Sequence, residues 1–443
     1  MVPRLRLRWF CAATVIGAVS AFGAAVVRLT FRGLEWLLVQ STAAPPDAAA
    51  HLSFWRRALT PIVGALLASI VLFLRKRHDR HLGRDPRPYV EYVEAVRERH
   101  GVIPFLPNCW RTLSAACSIA SGAAVGREGS MIQFAAAVSS GSGRWLRRVF
   151  ADGDLSLDML VACGVAGGVT TAYNAPVAAI FFASEIVLGA IRPREMTLLS
   201  VSAAAGWVVS GFIQGFQRLY PTHPSLFAGS WTVVLLPVLA LLFGVIGPVY
   251  QRLIRSLGAA KKLPLPLVWS GAVVGLVSVL DPRVWGNGDL GLSAALGHAD
   301  LPLLSIAVPA LATLLGLRLM ATTACVGTGT VGGVFTPTLF AGAAIAALLG
   351  HALPGANPAL WAIAGMALLM SAVTHAPVMA AFMAVELTGD WPLLPVLIVL
   401  NVIAWQVARR LSREALYAIA SQAPTREHRD TLPGARYNQQ RTA

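Results

Sequence analysis

Long stretches of apolar residues, separated by short polar ones, recur along this chain of 443 residues. A helix that crosses a bilayer needs about 20 apolar residues in a row, with a range of about 17–25. Many stretches here are shorter than that, or are interrupted by glycine and proline. Broken helices are tolerated in a membrane only where protein surrounds them or where they line a cavity. The pattern therefore predicts an all-α polytopic membrane protein with several broken or half-length helices. The clearest apolar runs are Phe10–Val27, Leu59–Leu74, Val233–Val249, Leu301–Leu319, Ala359–Val373 and Leu393–Ala408.

The placement of charge favours a membrane protein over a nucleic-acid-binding protein. Hydrophobic residues make up 56% of the chain and charged residues 13%, and the charged share is about half of that in a soluble domain. The net charge is +15, but basic residues cluster beside apolar runs, before Phe10, at 75–99 and at 409–441. The positive-inside rule produces such clusters, whereas nucleic-acid binding would interleave aromatic residues with the basic ones. We therefore expect both termini to be cytoplasmic and expect no nucleic-acid partner.

The segment 1–25 imitates a secretory signal sequence. Basic residues come first, an apolar stretch follows, and small residues end it, as in a cleavable signal. Because many more apolar runs follow, we expect an uncleaved first membrane span instead.

The polar residues do not form a pattern typical of an enzyme or of a metal site. The five cysteines show neither paired nor metal-ligand spacing. His298, His351 and His375 have no nucleophile, base or further ligand nearby in the sequence. A membrane-embedded enzyme, the alternative from a different class, would need such partners. We therefore predict no catalytic residue, no metal and no cofactor.

An internal repeat divides the chain into two similar halves. The segments "NAPVAAIFFASE" (Asn174–Glu185) and "HAPVMAAFMAVE" (His375–Glu386) share seven of twelve residues at an offset of 201. A second pair sets "GREGSMIQFAAA" from Gly126 against "GGVFTPTLFAGA" from Gly332, and a weaker third pair sets "GRDPRP" near "WGNGDL". We expect one half over 1–225 and the other over 226–420, followed by a disordered polar cytoplasmic tail over 421–443. Repeats of broken helices place a binding site near the membrane midplane, between the halves.

The glycine-rich breaks in the second pair have the form of an anion site. Each is followed by a new apolar helix, so the helix begins inside the protein. A helix start presents unpaired N–H groups and about half a unit of positive charge, and glycine lets an anion approach the backbone. No Lys-Ser/Thr follows the glycines, so neither break is a phosphate loop. The pattern predicts a site for a small anion that is held weakly enough to pass.

Glu128, in the stretch "VGREGSM", is interpreted as a gate. A carboxylate at a helix start competes with an anion for the same N–H groups, and charged groups at membrane depth are usually functional. The alternatives are an ion pair with Arg127 or a helix cap without further function. Adjacent residues do not face each other on a helix, which weakens the ion-pair alternative.

Three other kinds of polar residue have structural interpretations. Glu185 and Glu386 close the repeated segment in both halves, and we expect them to accept bonds from neighbouring backbone N–H groups. His375 opens that segment and is interpreted as a helix-end residue rather than a proton carrier. Tyr417 follows a long apolar run and precedes the polar tail, so composition alone favours an interface anchor over a residue of the ion path.

The motifs taken together resemble the CLC family of chloride channels and chloride/proton antiporters, and the resemblance covers about residues 10–420. It is carried, in this order, by "GREGS" at 126–130, "NAP" at 174–176, "GGVFTP" at 332–337, "HAP" at 375–377 and the late Tyr417. Other segments look most like the bacterial branch of voltage-gated-type chloride channels. The resemblance implies a homodimer in the bacterial inner membrane, with one pore per subunit between inverted repeats of tilted, broken helices.

The resemblance also implies roles for particular residues. Glu128 matches the gating glutamate of the family, and chloride is the transported ion. Backbone N–H groups of Val334 and Phe335 match central chloride ligands, and the Tyr417 hydroxyl matches the inner one. The glycines of the two breaks complete the expected anion-binding set, and they are Gly126, Gly129 and Gly333.

Two positions depart from the family pattern. The first anion motif of the family, "GSGIP", is replaced by "GRDPRP", which puts Asp85 near the place of a chloride-binding serine. Antiporters commonly carry a second glutamate directly after the one matched by Glu185, and here that position is Ile186. A chloride-selective channel is therefore our leading interpretation. A chloride/proton antiporter that loads protons without this carboxylate is the main alternative, and a fluoride exporter of the same superfamily is a weaker one.

Overall fold

A computed structural model describes residues 7–41, 43–81, 89–150, 155–222, 231–297 and 307–417. The described residues form α-helices joined by short connections, with a single isolated β-bridge among them. The helices are α1 (Leu7–Val39), α2 (Pro45–His51), α3 (Phe54–His81), α4 (Tyr92–Glu98), α5 (Phe105–Ala120), α6 (Glu128–Phe150), α7 (Leu157–Tyr173), α8 (Pro176–Phe181), α9 (Pro193–Gln214), α10 (Leu236–Arg255), α11 (Pro266–Leu280), α12 (Asp289–Ala295), α13 (Val308–Thr328), α14 (Phe335–Ala352), α15 (Pro358–Thr374), α16 (Pro377–Thr388) and α17 (Leu394–Leu411). A π-helical turn, Phe182–Leu188, continues α8.

The expected mixture of long and half-length helices is confirmed. Among the described residues, seven helices are long and apolar enough to cross a membrane, namely α1, α3, α9, α10, α13, α14 and α17. Five shorter apolar helices, α7, α8, α11, α15 and α16, lie between them. Every predicted apolar run falls within or next to a helix wherever it is described, and residues 301–306 lie outside the described part. The chain is a multi-pass membrane protein.

The central helices α7 and α15 are buried on all sides. Every residue of α15 from Leu360 to Thr374 is buried, which agrees with a sequence that is apolar around the whole helix. Close packing of α14 on α15 depends on two glycines: a Cβ on Gly342 or on Gly365 would lie 2.4 Å from the other residue's carbonyl oxygen. Small residues at such positions let membrane helices approach backbone to backbone.

The repeated "NAP" and "HAP" segments are turns between two helices. Asn174 ends α7 and His375 ends α15, both in the left-handed conformation, with φ of 52° and 58°. Pro176 and Pro377 then start α8 and α16, where a missing N–H costs nothing. The interpretation of His375 as a helix-end residue is confirmed.

The two halves exchange equivalent contacts across their boundary. Glu386 accepts hydrogen bonds from the N–H groups of Val177 (3.0 Å) and Ala178 (2.6 Å). Glu185 accepts bonds from Val378 (3.4 Å) and Met379 (2.7 Å). Each glutamate therefore caps the helix start of the other half, which confirms that both bond to backbone N–H groups. The sequence did not reveal that the partners lie in the opposite half.

Aromatic rings repeat this exchange. Phe181 and Phe382, which are also 201 positions apart, stack with ring centroids 4.6 Å apart and an angle of 14° between the rings. Such reciprocal contacts are those of two elements related by a two-fold axis. The division of the chain at 225/226, the "GRDPRP" segment with Asp85, and the tail 421–443 all lie outside the described residues, so the domain bounds remain predictions.

Candidate anion pathway

The two glycine-rich breaks meet at the centre of the molecule. Gly126 and Gly333 form an antiparallel bridge in which each N–H donates to the other's carbonyl oxygen at 2.7 Å. A Cβ on Gly129 would lie 3.0 Å from the Cα of Gly333, so the backbones touch and no side chain fits between them. The N–H groups of Gly126 and Gly333 are therefore bonded to each other rather than directed at a ligand.

Two long helices begin at this bridge, as the sequence predicts. Helix α6 begins at Glu128 and α14 at Phe335, with Val334 as its N-cap. The first N–H groups of a helix have no acceptor within that helix, and both helices start beside the bridge. The hydroxyl of Ser130, in the first turn of α6, is buried and has no hydrogen-bond partner among the described residues.

The Glu128 side chain folds back onto the start of its own helix. Glu128 is 5% exposed, and its Oε2 is so close to Gly126 that a Cβ there would lie 2.4 Å away. Its Oε1 accepts a hydrogen bond of 2.7 Å from the side-chain amide of Asn287. Its Oε2 has no hydrogen-bond partner within the described part of the chain. The carboxylate thus lies against Gly126, at the start of α6.

Other charged groups surround this carboxylate on the side of Asn287. Arg127 Nε lies 3.9 Å from Glu128 Oε1, and an Arg127 terminal nitrogen lies 4.0 Å from Asp289 Oδ2. Tyr220 donates its hydroxyl proton to Asp289. The ion pair between Arg127 and Glu128, which sequence spacing disfavours, is therefore present as a loose contact. The same arginine is shared with Asp289.

A line of aromatic rings connects the start of α14 with Tyr417. The Tyr417 ring meets Phe182 edge-on at 5.7 Å, and Phe182 in turn lies 6.1 Å from Phe335, between ring centroids. The Tyr173 ring lies 5.0 Å from Phe335 on the other side. The Tyr173 hydroxyl lies close to that of Thr336. Phe335, a predicted anion ligand, and Tyr417 are thus brought together through Phe182, which the sequence analysis did not single out.

The Ile186 side chain packs in the apolar core, whereas its backbone carbonyl faces a positively charged side chain. The Ile186 side chain is 4% exposed. Arg97, on α4, donates to the carbonyl oxygens of Ile186 (2.7 Å) and Val187 (3.1 Å). Glu91 lies just before α4, 3.9 Å from Arg111.

The sequence did not reveal the roles of two residues, Asn287, which bonds to Glu128, and Arg318, which bonds to the segment just before Asn287. Asn287 lies within "WGNGDL", which stands out in the sequence only as part of the weaker third pair of the repeat. Arg318 is a single arginine in the apolar helix α13 and is 1% exposed. A charge inside an apolar helix is itself a signal of function, and this signal was available from the sequence.

Both the sequence and the fold of this chain match known proteins of a single family. A sequence profile of the voltage gated chloride channel family matches residues 64–409. A ClcB-like chloride channel protein of Ralstonia nicotianae is 36% identical over 431 residues, which cover 95% of this chain and 97% of the relative. The voltage-gated ClC-type chloride channel ClcB of Citrobacter koseri is 34% identical over 418 residues, covering 91% and 97%.

Solved structures match the fold at lower identity. A slow cyanobacterial chloride/proton antiporter superposes with a TM-score of 0.77 at 20% identity, covering 95% of this chain and 98% of that one. A CLC-type fluoride/proton antiporter gives 0.69 at 20% identity, covering 91% and 95%. A eukaryotic CLC transporter gives 0.71 at 18% identity, covering 94% of this chain and 74% of the transporter. With its family profile, its relatives and its architecture in agreement, this chain is a member of the CLC family of chloride channels, whose proteins transport anions and are not enzymes.

Proposed function

We propose that this protein is a chloride-selective anion channel gated by Glu128. The observation that carries this proposal is the Glu128 carboxylate itself, buried at the start of α6 and lying against Gly126. An ionised carboxylate there occupies the positive helix start and excludes chloride. When it is protonated or displaced, the same N–H groups become available to the anion. Names of relatives at 34–36% identity support a chloride channel.

Chloride would be held by partial charges from both halves. The N–H groups of Val334 and Phe335 lie at the start of α14, and the Tyr417 ring lies against Phe182. The two helix starts are brought into contact at Gly126, Gly129 and Gly333. The N–H groups of Gly126 and Gly333 bond to each other's carbonyl oxygens, so these two glycines shape the site without binding the anion themselves. No full positive charge is needed, because conduction requires binding that is weak enough to release the ion.

The environment of Ile186 supports a channel over an antiporter. A proton that reaches Glu128 from the side of Tyr417 needs titratable groups or a chain of water. Ile186 offers neither, and the Arg97 guanidinium, bonded to the carbonyls of Ile186 and Val187, puts a fixed positive charge at the same place. Glu185 is adjacent in sequence but is used as a cap for the other half.

A chloride/proton antiporter is the second candidate, and Glu91 is the observation that favours it. Its carboxylate is at the start of α4, the helix whose Arg97 bonds to Ile186, and could receive protons in place of residue 186. Two of the structural neighbours are named as proton-coupled antiporters. One of these carries fluoride, which keeps a fluoride exporter as a weaker third candidate.

We also propose a homodimer with one pathway per subunit in the inner membrane of a bacterium. Both termini would be cytoplasmic. Basic residues in the last turns of α3, α6, α10 and α17 support this orientation. Arg8, near the start of α1, donates to the carbonyl oxygen of Phe150 at the end of α6 (3.1 Å), so these two ends share one face.

The test is to record chloride and proton movement together in reconstituted vesicles. A chloride gradient is imposed, potassium with valinomycin fixes the voltage, and external pH is followed. We expect chloride flux without steady uphill proton pumping. Glu128→Ala and Glu128→Gln should carry chloride at least as fast as the wild type but without gating, because the blocking charge is gone. Glu195→Gln is the control, since Glu195 also lies at a helix start but pairs with exposed Arg192 (2.9 Å).

Four outcomes would test the gate role and decide between the candidates. Folded Glu128 variants that carry no chloride would contradict the gate role. Steady uphill proton pumping that disappears in Glu128→Gln would show an antiporter, and its loss in Glu91→Gln would assign proton loading to Glu91. Fluoride carried in strong preference to chloride would favour the third candidate.

A further inference from the structure

A buried arginine holds the segment that carries Asn287. Arg318, on α13, donates from Nη1 to the carbonyl oxygens of Arg283 and Val284, both at 3.0 Å, and from Nη2 to that of Gly286 at 3.0 Å. These acceptors are consecutive or nearly so, and Asn287 follows the last of them. A guanidinium presents several donors in a fixed plane, so it fixes the path of the segment.

The segment is fitted closely to Arg318 and to the break before α6. Gly288 has a φ of 105°, and a Cβ there would lie 2.9 Å from Arg318 Nη2. Gly122, with a φ of 106°, lies so close to the Trp285 ring that a Cβ would come within 2.4 Å of it. Side chains at these two glycines would push the segment away from its place.

The same helix also anchors the chain just before the gate. Thr322, one turn after Arg318 on α13, donates its hydroxyl proton to the carbonyl oxygen of Ala124 at 2.9 Å. Ala124 lies two residues before Gly126. One face of α13 therefore sets the positions of both partners, the segment of Asn287 on one side and the approach to Glu128 on the other.

Backbone contacts orient the Asn287 amide. Its Oδ1 accepts a bond of 3.2 Å from the N–H of Asp289, so its Nδ2 must point away from that N–H. Nδ2 donates to Glu128 Oε1 at 2.7 Å. The assignment of oxygen and nitrogen in this amide is thus fixed by its partners on both sides.

We propose that Asn287 is a latch that stabilises the closed position of Glu128, and that Arg318 is the positioning residue that holds this latch in register. The proposal rests on the gate role of Glu128. The latch comes from the second half of the chain and the gate from the first, so opening separates two groups that α13 holds at a fixed spacing. A hydrogen bond to a charged group is among the stronger ones, and the closed state loses it when the carboxylate leaves.

The experiment compares chloride flux per folded protein at fixed voltage in Asn287→Leu, Glu128→Ala and the double variant. Leucine keeps the branched shape of asparagine but has no donor. We expect Asn287→Leu to shift the closed-to-open ratio about tenfold to hundredfold toward open, the range for loss of one bond to a charged group. The same substitution should change nothing in the Glu128→Ala background, because no carboxylate is left to hold.

Arg318 is tested by Arg318→Met and Arg318→Lys, with Arg57→Met as the matched control. Arg57 also donates to two carbonyl oxygens, of Ala50 (3.3 Å) and Leu52 (3.1 Å), at a helix connection outside the gate. Arg318→Met should open the gate without adding to Asn287→Leu, and Arg318→Lys should restore part of the gating. A purely structural role would lower the amount of folded protein and leave the gating of the folded fraction unchanged, which would overturn the positioning role.

The failures of latch and gate are distinguishable. Wild-type gating in folded Asn287→Leu, alongside altered gating in Glu128→Ala, would refute the latch alone. Unaltered gating in Glu128→Ala would refute the proposed function itself. If Arg318→Met does not fold, the other two variants still test the proposal. It requires that Asn287→Leu change the closed-to-open ratio and that Arg318→Lys give a ratio between that of the wild type and that of Asn287→Leu.

Discussion

The reciprocal caps between the two halves allow a quantitative prediction, beginning with Glu386→Ala. Helix α8 begins at Pro176, inside the protein, and its first N–H groups have no partner within the helix. Glu386 satisfies two of them, those of Val177 and Ala178, and Ala178 is fully buried. Alanine at 386 would leave both N–H groups without an acceptor, and little water is available to replace it.

The magnitude follows from the number and length of the bonds. A hydrogen bond to a charged group contributes about 1.5–3 kcal/mol. Glu386 accepts two bonds, of 3.0 and 2.6 Å, so its loss should lower the free energy of unfolding by roughly 3–6 kcal/mol. Glu185 accepts one short bond of 2.7 Å from Met379 and a long one of 3.4 Å from Val378. Glu185→Ala should therefore cost less, about 1.5–3 kcal/mol.

The assay is equilibrium unfolding in mixed micelles of a mild detergent and sodium dodecyl sulfate. The alanine variants at 386 and 185 are compared with the corresponding glutamine variants. Glutamine keeps one acceptor oxygen, so each glutamine variant should recover part of the loss. Glu195→Ala is the control, because its exposed pair with Arg192 is of a kind that contributes about 0–1 kcal/mol.

The order of the three losses in stability is the decisive measurement. If Glu386→Ala loses no more stability than Glu195→Ala, the caps do not contribute as their bonds imply. If Glu185→Ala loses clearly more than Glu386→Ala, bond number and length do not set the cost. Either result would mean that the helix starts find other acceptors when the carboxylate is removed.

Two further predictions concern the anion site. Tyr417→Phe keeps the ring contact with Phe182 but loses the hydroxyl, so chloride binding measured by calorimetry should weaken about tenfold to hundredfold; binding equal to wild type would return Tyr417 to the role of interface anchor. Gly129→Ala places a Cβ 3.0 Å from the Cα of Gly333 and should reduce chloride flux by forcing the two helix starts apart. Gly141→Ala, in the same helix but with open space around the glycine, should leave flux at the wild-type level, and equal flux in both variants would contradict the tight contact.

Local patterns in the sequence determined the class of the protein and the positions of several helix starts. The apolar runs predict membrane helices because the tendency to enter a membrane depends on the residues of one continuous segment. The lengths are less well predicted, since α1, at 33 residues, extends well past its apolar run. The repeat of proline and glutamate at an offset of 201 predicts two equivalent halves. Glycine-rich breaks predict that α6 and α14 begin inside the protein, because a helix must stop and restart where its backbone changes direction.

Only the tertiary structure decided which of these parts touch. A buried carboxylate or carbonyl accepts a hydrogen bond from any donor that packing brings near. The sequence alone therefore does not predict which residue is the donor. Glu386 caps Val177, 209 positions away, and Asn287 reaches Glu128 across 159 positions. The bond between Gly126 and Gly333 likewise takes up N–H groups that the sequence assigned to the anion. These contacts depend on the relative placement of helices from opposite halves, which is set by the packing of the whole helical bundle.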